Sequence, residues 1–212
     1  MIEMIFFDWN GTLLADTMAI YRAAVEVIKA EGGQPPTLEQ FLRTSNSSAV
    51  KFFAQYVEDT VSAREKFLKF YEHEAARCRT RRGTRHVLDW LKSRKIPTTI
   101  LSNHTPHGIE NQLLRLGLRD MFGEVLSQAS PGRNKQERLE NYLADKDSKL
   151  SPTSIMIVGD TPEEAEIAHN LGMVSAIISN GCHSFKRVRA SKPNHIISNI
   201  SHLVPIIKKR GN

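Results

Sequence analysis

The chain has 212 residues, of which 40% are hydrophobic and 25% charged, with a formal charge of +6 at pH 7. These values are typical of one well-cored globular domain, with room for a smaller appended unit. The apolar start, residues 1–7, is too short for a membrane span and lacks the basic leader of a signal peptide. Cys78 and Cys182 lie far apart, which argues against a zinc site or a disulfide framework. We therefore expect a cytoplasmic protein without a membrane contact.

The positive charge raises the question of nucleic-acid binding. The basic residues form clusters at 77–85, 186–189 and 208–210. No aromatic residue is interleaved with the first or the last cluster, as a stacking platform for single strands would require. The basic residues are therefore better interpreted as solvated faces or as an attraction for an anionic substrate, and nucleic acid is not an expected partner.

The pattern of hydrophobic residues predicts one strand and then only helices in the first 81 residues. The strand covers 2–7 and ends at the polar turn that begins with Asp8. The predicted helices that follow cover 18–30, 37–43, 49–56 and 63–78. Thr37 and Gln40 have the spacing of a capping box at the start of the second helix.

Strands and helices alternate after Gly83. Strands are predicted over 98–101, 123–127, 154–158, 174–178 and 195–197. Helices are predicted over 86–95, 106–116, 135–143, 163–171 and 203–209. This alternation predicts an α/β fold with a doubly wound parallel sheet. The expected core comprises residues 1–15 and 82–212, and residues 16–81 are expected to form an inserted all-helical cap domain.

Polar residues follow three of the predicted strands. Asp8 follows the first, Ser102 and Asn103 follow the second, and Asp160 follows a later buried strand. Ligands of an open parallel sheet bind beyond the carboxyl ends of its strands, so we expect these residues to converge, with Lys135 entering from a helix start. Two carboxylates suit Mg²⁺, whereas a hydroxyl and an ammonium suit phosphoryl oxygens.

Four motifs, in this order along the chain, resemble those of the haloacid dehalogenase superfamily. The segment DWNGTL at 8–13 is similar to the family's first motif, Asp-x-Asp-Gly-Thr. LSN at 101–103 resembles the second motif, Lys135 the third, and VGDTPEE at 158–164 the fourth. The resemblance covers essentially the whole chain, and residues 16–81 lie where that family inserts a helical cap.

The resemblance implies a Mg²⁺-dependent hydrolase of a small phosphate monoester, similar to the phosphoglycolate phosphatases. Asp8 would be the nucleophile that forms an aspartyl-phosphate. The implied metal ligands are Asp8, the backbone carbonyl of Asn10 and Asp160, with Glu164 in the outer shell. The implied phosphate-binding residues are Thr12, Ser102, Asn103 and Lys135.

Two positions depart from the family's pattern. Gln136 follows Lys135 where the third motif usually has proline, and Arg133 is a neighbouring cation that could take the same role. Asn10 stands where hydrolytic members have the aspartate that acts as general acid and base. An amide does not move protons near neutral pH, and loss of such a group typically costs about 10²–10⁴ in rate.

Several interpretations of Asn10 are open at this point. The protein could be a slow phosphatase, or one restricted to good leaving groups, in which His104 or His107 supplies the proton. It could resemble the phosphonoacetaldehyde hydrolases, which lack the same acid and use a cap lysine as a Schiff base; Lys51 lies in the corresponding region. It could also be a regulatory protein that binds phosphate without turnover. An engineered exchange, or deamidation before Gly11, would alter the residue itself.

A dehalogenase activity is not expected. A dehalogenase needs no phosphate-coordinating metal, so this activity would leave Asp160 and Glu164 unexplained. Specificity is expected to come from cap side chains, with Arg43, Lys51 and His73 as candidates, and closure of the cap would exclude water. Nothing in the sequence decides between a monomer and a homodimer.

Overall fold

A parallel sheet forms the centre of the protein. The computed structural model describes residues 1–128, 134–146 and 149–211, and its strands are arranged in the order β3-β2-β1-β4-β5-β6. The strands are β1 (Met4–Phe7), β2 (Thr98–Leu101), β3 (Glu124–Leu126), β4 (Ile155–Gly159), β5 (Val174–Ile178) and β6 (His195–Ile197). This arrangement confirms the predicted doubly wound α/β class.

Helices cover both faces of the sheet. Alternate residues of β1 enter different cores: Ile5 and Phe7 pack in one hydrophobic cluster, and Phe6 packs in another with Ile157. Both faces are thus buried, which explains why the strand sequences are almost continuously apolar. The core helices are α5 (Thr84–Ser93), α6 (Pro106–Leu116), α7 (Lys135–Asp145), α8 (Pro162–Asn170), α9 (Phe185–Ala190) and α10 (Leu203–Lys209).

The segment between β1 and α5 is helical and has an aromatic core of its own. Its helices are α1 (Thr17–Ala30), α2 (Leu38–Thr44), α3 (Ala49–Phe53) and α4 (Thr60–Ala75). Phe41, Phe52 and Phe53 pack together there with side chains of α1. An isolated antiparallel bridge joins Leu14 to Thr80, so the two chain crossings between this segment and the sheet lie side by side. The assignment of 16–81 as a separate cap domain stays a prediction.

Helix boundaries differ from the predicted ones where local hydrogen bonds decide them. The capping box predicted at Thr37 is present at α2. Helix α4 begins three residues before the predicted start, because the Asp59 side chain accepts hydrogen bonds from the amides of Val61 and Ser62. Helix α9 was not predicted at all; it has six residues, too few for a clear hydrophobic period.

In the described part of the chain, none of the helices combines the length and the apolar character that crossing a membrane requires.

Packing of α5 on the sheet should contribute measurably to stability. Leu91 on α5 is fully buried in the larger core cluster, whereas Leu114 on α6 is 62% exposed. We expect Leu91→Ala to lower the free energy of unfolding by about 2–5 kcal/mol because it leaves a cavity. Leu114→Ala is the control and should change it by less than about 0.5 kcal/mol. Equal effects of the two variants in urea denaturation would contradict this description of the core.

Candidate active site

The carboxylates of Asp8 and Asp160 lie beside each other at one edge of the sheet. They follow β1 and β4, which are neighbouring strands with Phe7 opposite Val158. The direction of the strand order reverses between β1 and β4, and such a reversal opens a crevice at the carboxyl ends of the strands. The Thr12 hydroxyl is 3.4 Å from Asp8 Oδ2 and 3.1 Å from Asp160 Oδ1. One small side chain thus contacts both carboxylates.

Thr12 lies next to both carboxylates, and its binding of phosphate stays a prediction. Its side chain is fully buried, and its hydroxyl is directed to the two carboxylates. Its contacts make it a residue that positions Asp8 and Asp160.

Lys135 supplies the positive charge next to Asp8. It is the first residue of α7, and its Nζ donates hydrogen bonds to Asp8 Oδ1 at 3.1 Å and to Glu164 Oε1 at 2.5 Å. Burial disfavours the charged ammonium, but Asp8 and Glu164 outweigh this effect and raise the pKa of Lys135 overall. Lys135 is therefore a permanent cation. Arg133, the alternative candidate, lies outside the described residues.

Glu164 is fixed from two sides. Its Oε1 accepts from Lys135, and its Oε2 accepts from the backbone and side chain of Thr161 at 3.1 and 2.6 Å. Burial would raise its pKa, but Lys135 more than compensates and the pKa is lowered. Glu164 is thus an ionised partner of Lys135, and its place in an outer metal shell stays a prediction.

Gly11 and Gly181 have no side chain, and the Asp160 carboxylate occupies the space where their Cβ atoms would lie. Gly11 has φ +70°, and a Cβ at Gly11 or at Gly181 would lie on the Asp160 carboxylate. The backbone amide of Cys182 donates to Asp160 Oδ2 at 2.6 Å. Neither Gly181 nor the contact of the Cys182 backbone could be predicted from local sequence patterns, because both belong to a loop distant in the chain from Asp160.

The carboxylate pair is electrostatically unfavourable without a cation. Burial, only partly offset by Lys135, raises the pKa of Asp8 to about 8. Burial and the nearby Glu164 raise the pKa of Asp160 to about 6. In the described residues, no group of three or more His, Cys, Asp or Glu is arranged to hold a metal. Two carboxylates and one backbone carbonyl nevertheless suit Mg²⁺, which keeps several waters.

Ser102 and Asn103 follow β2 and line the same cavity as Asp8. Ser102 is almost fully buried. The Asn103 side chain is held between two partners, since its Oδ1 accepts from Arg138 at 2.6 Å and its Nδ2 donates to Glu163 at 3.2 Å. The structure thus brings together the residues predicted at the strand ends.

Asn10 takes part in a buried cluster that the sequence did not reveal. Its Nδ2 donates to Asp16 Oδ2 at 2.7 Å and to the Tyr71 hydroxyl at 2.6 Å. Tyr71 and the Gly11 amide also donate to the Asp16 carboxylate, at 2.6 and 2.7 Å. Burial raises the pKa of Asp16, while these hydrogen bonds act in the opposite direction. The amide nitrogen of Asn10 can donate to this carboxylate, which an ionised carboxylate at position 10 could not do.

The two histidines proposed as proton sources differ in environment. His104 is buried in the cavity wall, with its ring 5.3 Å from that of Tyr71 in an edge-to-face arrangement. Burial lowers the pKa of His104 to about 4, so the ring is neutral at pH 7. His107 is exposed and pairs with Asn111. Of the two, His104 is near the site.

A cavity of about 480 Å³ lies above the carboxylates, between the sheet edge and helices α1 to α4. Lys51 lines it, as expected for a specificity residue. Arg43 and His73 were wrong choices: Arg43 pairs with Glu39 on the surface, and both lie outside the cavity wall. Arg64, Phe67 and His183 line it instead, and the sequence had not singled them out.

Several contacts close the helical segment onto the sheet domain. The Ser45 hydroxyl donates to the Cys182 carbonyl at 2.6 Å, and Arg187 donates to the Ser45 carbonyl at 2.6 Å. On the other side of the cavity, Arg64 donates to Gln128 at 3.2 Å. The cavity is therefore bounded by both parts of the protein.

Comparison with known proteins agrees with this geometry. A profile of the haloacid dehalogenase-like hydrolases matches residues 5–178, which include the strand ends and the helical segment. The chain belongs to this family. Similar family members include a phosphoglycolate phosphatase of Synechococcus elongatus, 22% identical over 97% of both chains. Another, from Vibrio vulnificus, is 23% identical over 97% of this chain and 96% of its own.

Solved structures extend the likeness to the fold. A haloacid dehalogenase-like family protein from Streptococcus pneumoniae superposes with a TM-score of 0.85 at 19% identity, over 97% of this chain and 98% of its own. The protein is a hydrolase of the haloacid dehalogenase family.

The space left by Gly11 can be tested against a matched glycine. Gly11 and Gly32 both have left-handed backbones, with φ of +70° and +76°, but a Cβ at Gly32 would meet no atom within 4 Å. We expect Gly32→Ala to cost about 1–2 kcal/mol of unfolding free energy for its backbone alone. Gly11→Ala should cost clearly more because it also displaces Asp160. Equal losses in chemical denaturation would show that Asp160 has room to move.

Proposed function

We propose that the protein is a Mg²⁺-dependent phosphatase that hydrolyses a small phosphate monoester through an aspartyl-phosphate on Asp8. The observation that carries the proposal is the position of Asp8 in the cavity wall, with Lys135 on one of its oxygens and Asp160 beside it. The relatives named phosphoglycolate phosphatase support phosphate esters as the substrate class.

The reaction follows from what each side chain offers. An Asp8 oxygen attacks phosphorus, and the bond from phosphorus to the leaving-group oxygen breaks. Water then attacks the aspartyl-phosphate at phosphorus and releases inorganic phosphate, which restores the carboxylate. Lys135 and Ser102 hold the phosphoryl oxygens through both steps. Residues 16–81 act as the cap that separates the intermediate from bulk water.

The carboxylate pair needs a counter-charge for this chemistry. Mg²⁺ would be held by Asp8, Asp160 and the backbone carbonyl of Asn10, and when bound it would screen the repulsion between Asp8 and the phosphate. A nearby dication also favours the ionised forms of Asp8 and Asp160, which burial alone opposes.

Asn10 limits the leaving groups that the enzyme accepts. Its amide is held by Asp16 and Tyr71 and has no proton to give near neutral pH. Esters whose leaving group departs without a proton, such as aryl phosphates, should therefore react much faster than alkyl phosphates.

The alternative of phosphonate cleavage receives less support. A lysine that forms a Schiff base is usually desolvated. Lys51 lines the cavity but is exposed, and the Lys135–Glu164 pair beside Asp8 is suited to a phosphoryl group.

The proposed activity is tested by hydrolysis of 4-nitrophenyl phosphate. We expect turnover that requires Mg²⁺, stops with a chelator, and falls by more than about 10³ in Asp8→Asn because the nucleophile is removed. Asp120→Asn, which changes an exposed carboxylate, is the control and should retain activity. Turnover that survives in Asp8→Asn would refute the assignment, and a wild type without any turnover would favour a binding protein.

The role of Asp16 is tested by exchanging it with Asn10. Asn10→Asp alone places two carboxylates where 2.7 Å now separates a donor from its acceptor, and we expect it to lose about 1–3 kcal/mol of unfolding free energy. The double variant Asn10→Asp with Asp16→Asn keeps one carboxylate and one amide, but moves the acid to position 10. It should recover the stability.

The double variant should also hydrolyse alkyl phosphates faster than the wild type, by up to about 10²–10⁴ if the new acid delivers its proton. The comparison needs urea denaturation and steady-state kinetics on the same preparations. If Asn10→Asp alone is as stable as the wild type, Asp16 does not dictate the residue at position 10.

A further inference from the structure

The cavity is larger than a two-carbon acid phosphate requires. Its volume of about 480 Å³ falls in the range of sites that enclose drug-sized ligands, roughly 300–1,000 Å³. Phosphoglycolate has nine non-hydrogen atoms, and its phosphate would already occupy the end next to Asp8. Most of the remaining space would then hold water against the cap helices.

The part of the wall that the cap helices contribute includes a group of apolar side chains. Ile20, Phe67 and Leu68 are partly exposed there, Val50 is 40% exposed, and Phe52 lies among the same wall residues. Apolar surface that faces a cavity gains free energy when a ligand displaces the water from it. The wall therefore favours a substrate with an apolar body beyond its phosphate.

The polar groups of the cap wall include no carboxylate among the described residues. They are the serines and the asparagine of 45–48, together with Lys51, Arg64 and the Tyr71 hydroxyl, which already donates to Asp16. Arg64 already donates to Gln128 across the cavity mouth, and Lys51 is exposed. An apolar body would leave the Arg64–Gln128 hydrogen bond and the solvated Lys51 undisturbed.

The chemistry of position 10 leads to the same class of substrate. Asn10 lacks a transferable proton, so the site is suited to leaving groups that depart as stable anions. Phenols meet this requirement better than alkyl alcohols do, and their flat rings can pack against Phe67 and Leu68.

We propose that the substrate is a phosphate monoester of a flat, apolar aryl alcohol, whose ring system packs between α3 and α4 while its phosphate lies at Asp8. This inference rests on the phosphatase activity proposed above and specifies its substrate class.

The test compares substrates of matched leaving group. Phenyl phosphate and 2-naphthyl phosphate release phenols of similar acidity, but the second has a larger flat surface. We expect kcat/KM to rise about tenfold from phenyl to naphthyl, and to be lower for phosphoglycolate than for either. A preference for phosphoglycolate would overturn the inference and leave the phosphatase activity intact.

A pair of valine variants locates the apolar contact. Val50→Asn removes apolar surface from the cavity wall without adding charge. Val61→Asn makes the same change on the outer surface of α4, where Val61 is 65% exposed and lies outside the wall. Val50→Asn should lower kcat/KM for naphthyl phosphate about fivefold and for phenyl phosphate much less. If Val50→Asn lowers kcat/KM equally for both esters, the ring does not lie against Val50. The same conclusion follows if Val61→Asn has the effect expected of Val50→Asn.

Phosphonate binding tests the inferred substrate class even if the protein hydrolyses no ester. In calorimetry with Mg²⁺ present, 2-naphthylmethylphosphonate should bind about tenfold more tightly than phosphonoacetate. This result in a protein that hydrolyses no ester would refute the phosphatase proposal alone. Tighter binding of phosphonoacetate would refute the aryl substrate, whatever the activity.

Discussion

The site depends on one electrostatic constraint, the burial of three carboxylates, Asp8, Asp160 and Glu164, of which Lys135 pairs with Asp8 and Glu164. Carboxylates lose much hydration when buried, and adjacent carboxylates also repel each other. Lys135 neutralises Glu164 and one side of Asp8, and the Thr12 hydroxyl and the Cys182 amide solvate Asp160. When all three carboxylates are ionised, Lys135 balances one of the three negative charges and two are left. A divalent cation would offset these two charges, which makes the same constraint a reason for metal binding.

The fold explains why these groups meet although they are far apart in sequence. β1 pairs with both β2 and β4, so the residues after these strands share one edge. This part of the site could be predicted, because strand ends and turn residues are local features of the sequence. The contacts of Thr12 with both carboxylates could not be predicted, because they depend on the close approach of Asp160, which no local pattern encodes.

The cavity wall could not be predicted in the same way. Arg43 and His73 were plausible candidates by charge, but helix packing places them on the outside, and Phe67 and Val50 face the cavity instead. Which side of a short helix faces a partner depends on contacts made across the whole segment, here an aromatic core around Phe52 and Phe53. The hydrogen bond from Tyr71 to Asp16 joins positions 55 residues apart and was hidden for the same reason.

Asp16 changes the interpretation of Asn10. When only the first motif is considered, an amide at position 10 looks like the loss of a general acid and base. In the structure the amide donates to the neighbouring buried Asp16 carboxylate, which also accepts from Tyr71 and the Gly11 amide. The departure from the family's pattern is thus part of the packing between the loop after β1 and helix α4.

The central claim is that the carboxylates of Asp8 and Asp160 share one divalent cation. Calorimetric titration of the chelator-treated protein with Mg²⁺ tests it most directly, with Asp160→Asn beside the wild type and Asp120→Asn as control. We expect one Mg²⁺ per chain in the wild type and in Asp120→Asn, with binding lost or strongly weakened in Asp160→Asn. Equal Mg²⁺ affinity in Asp160→Asn and in the wild type would contradict the account.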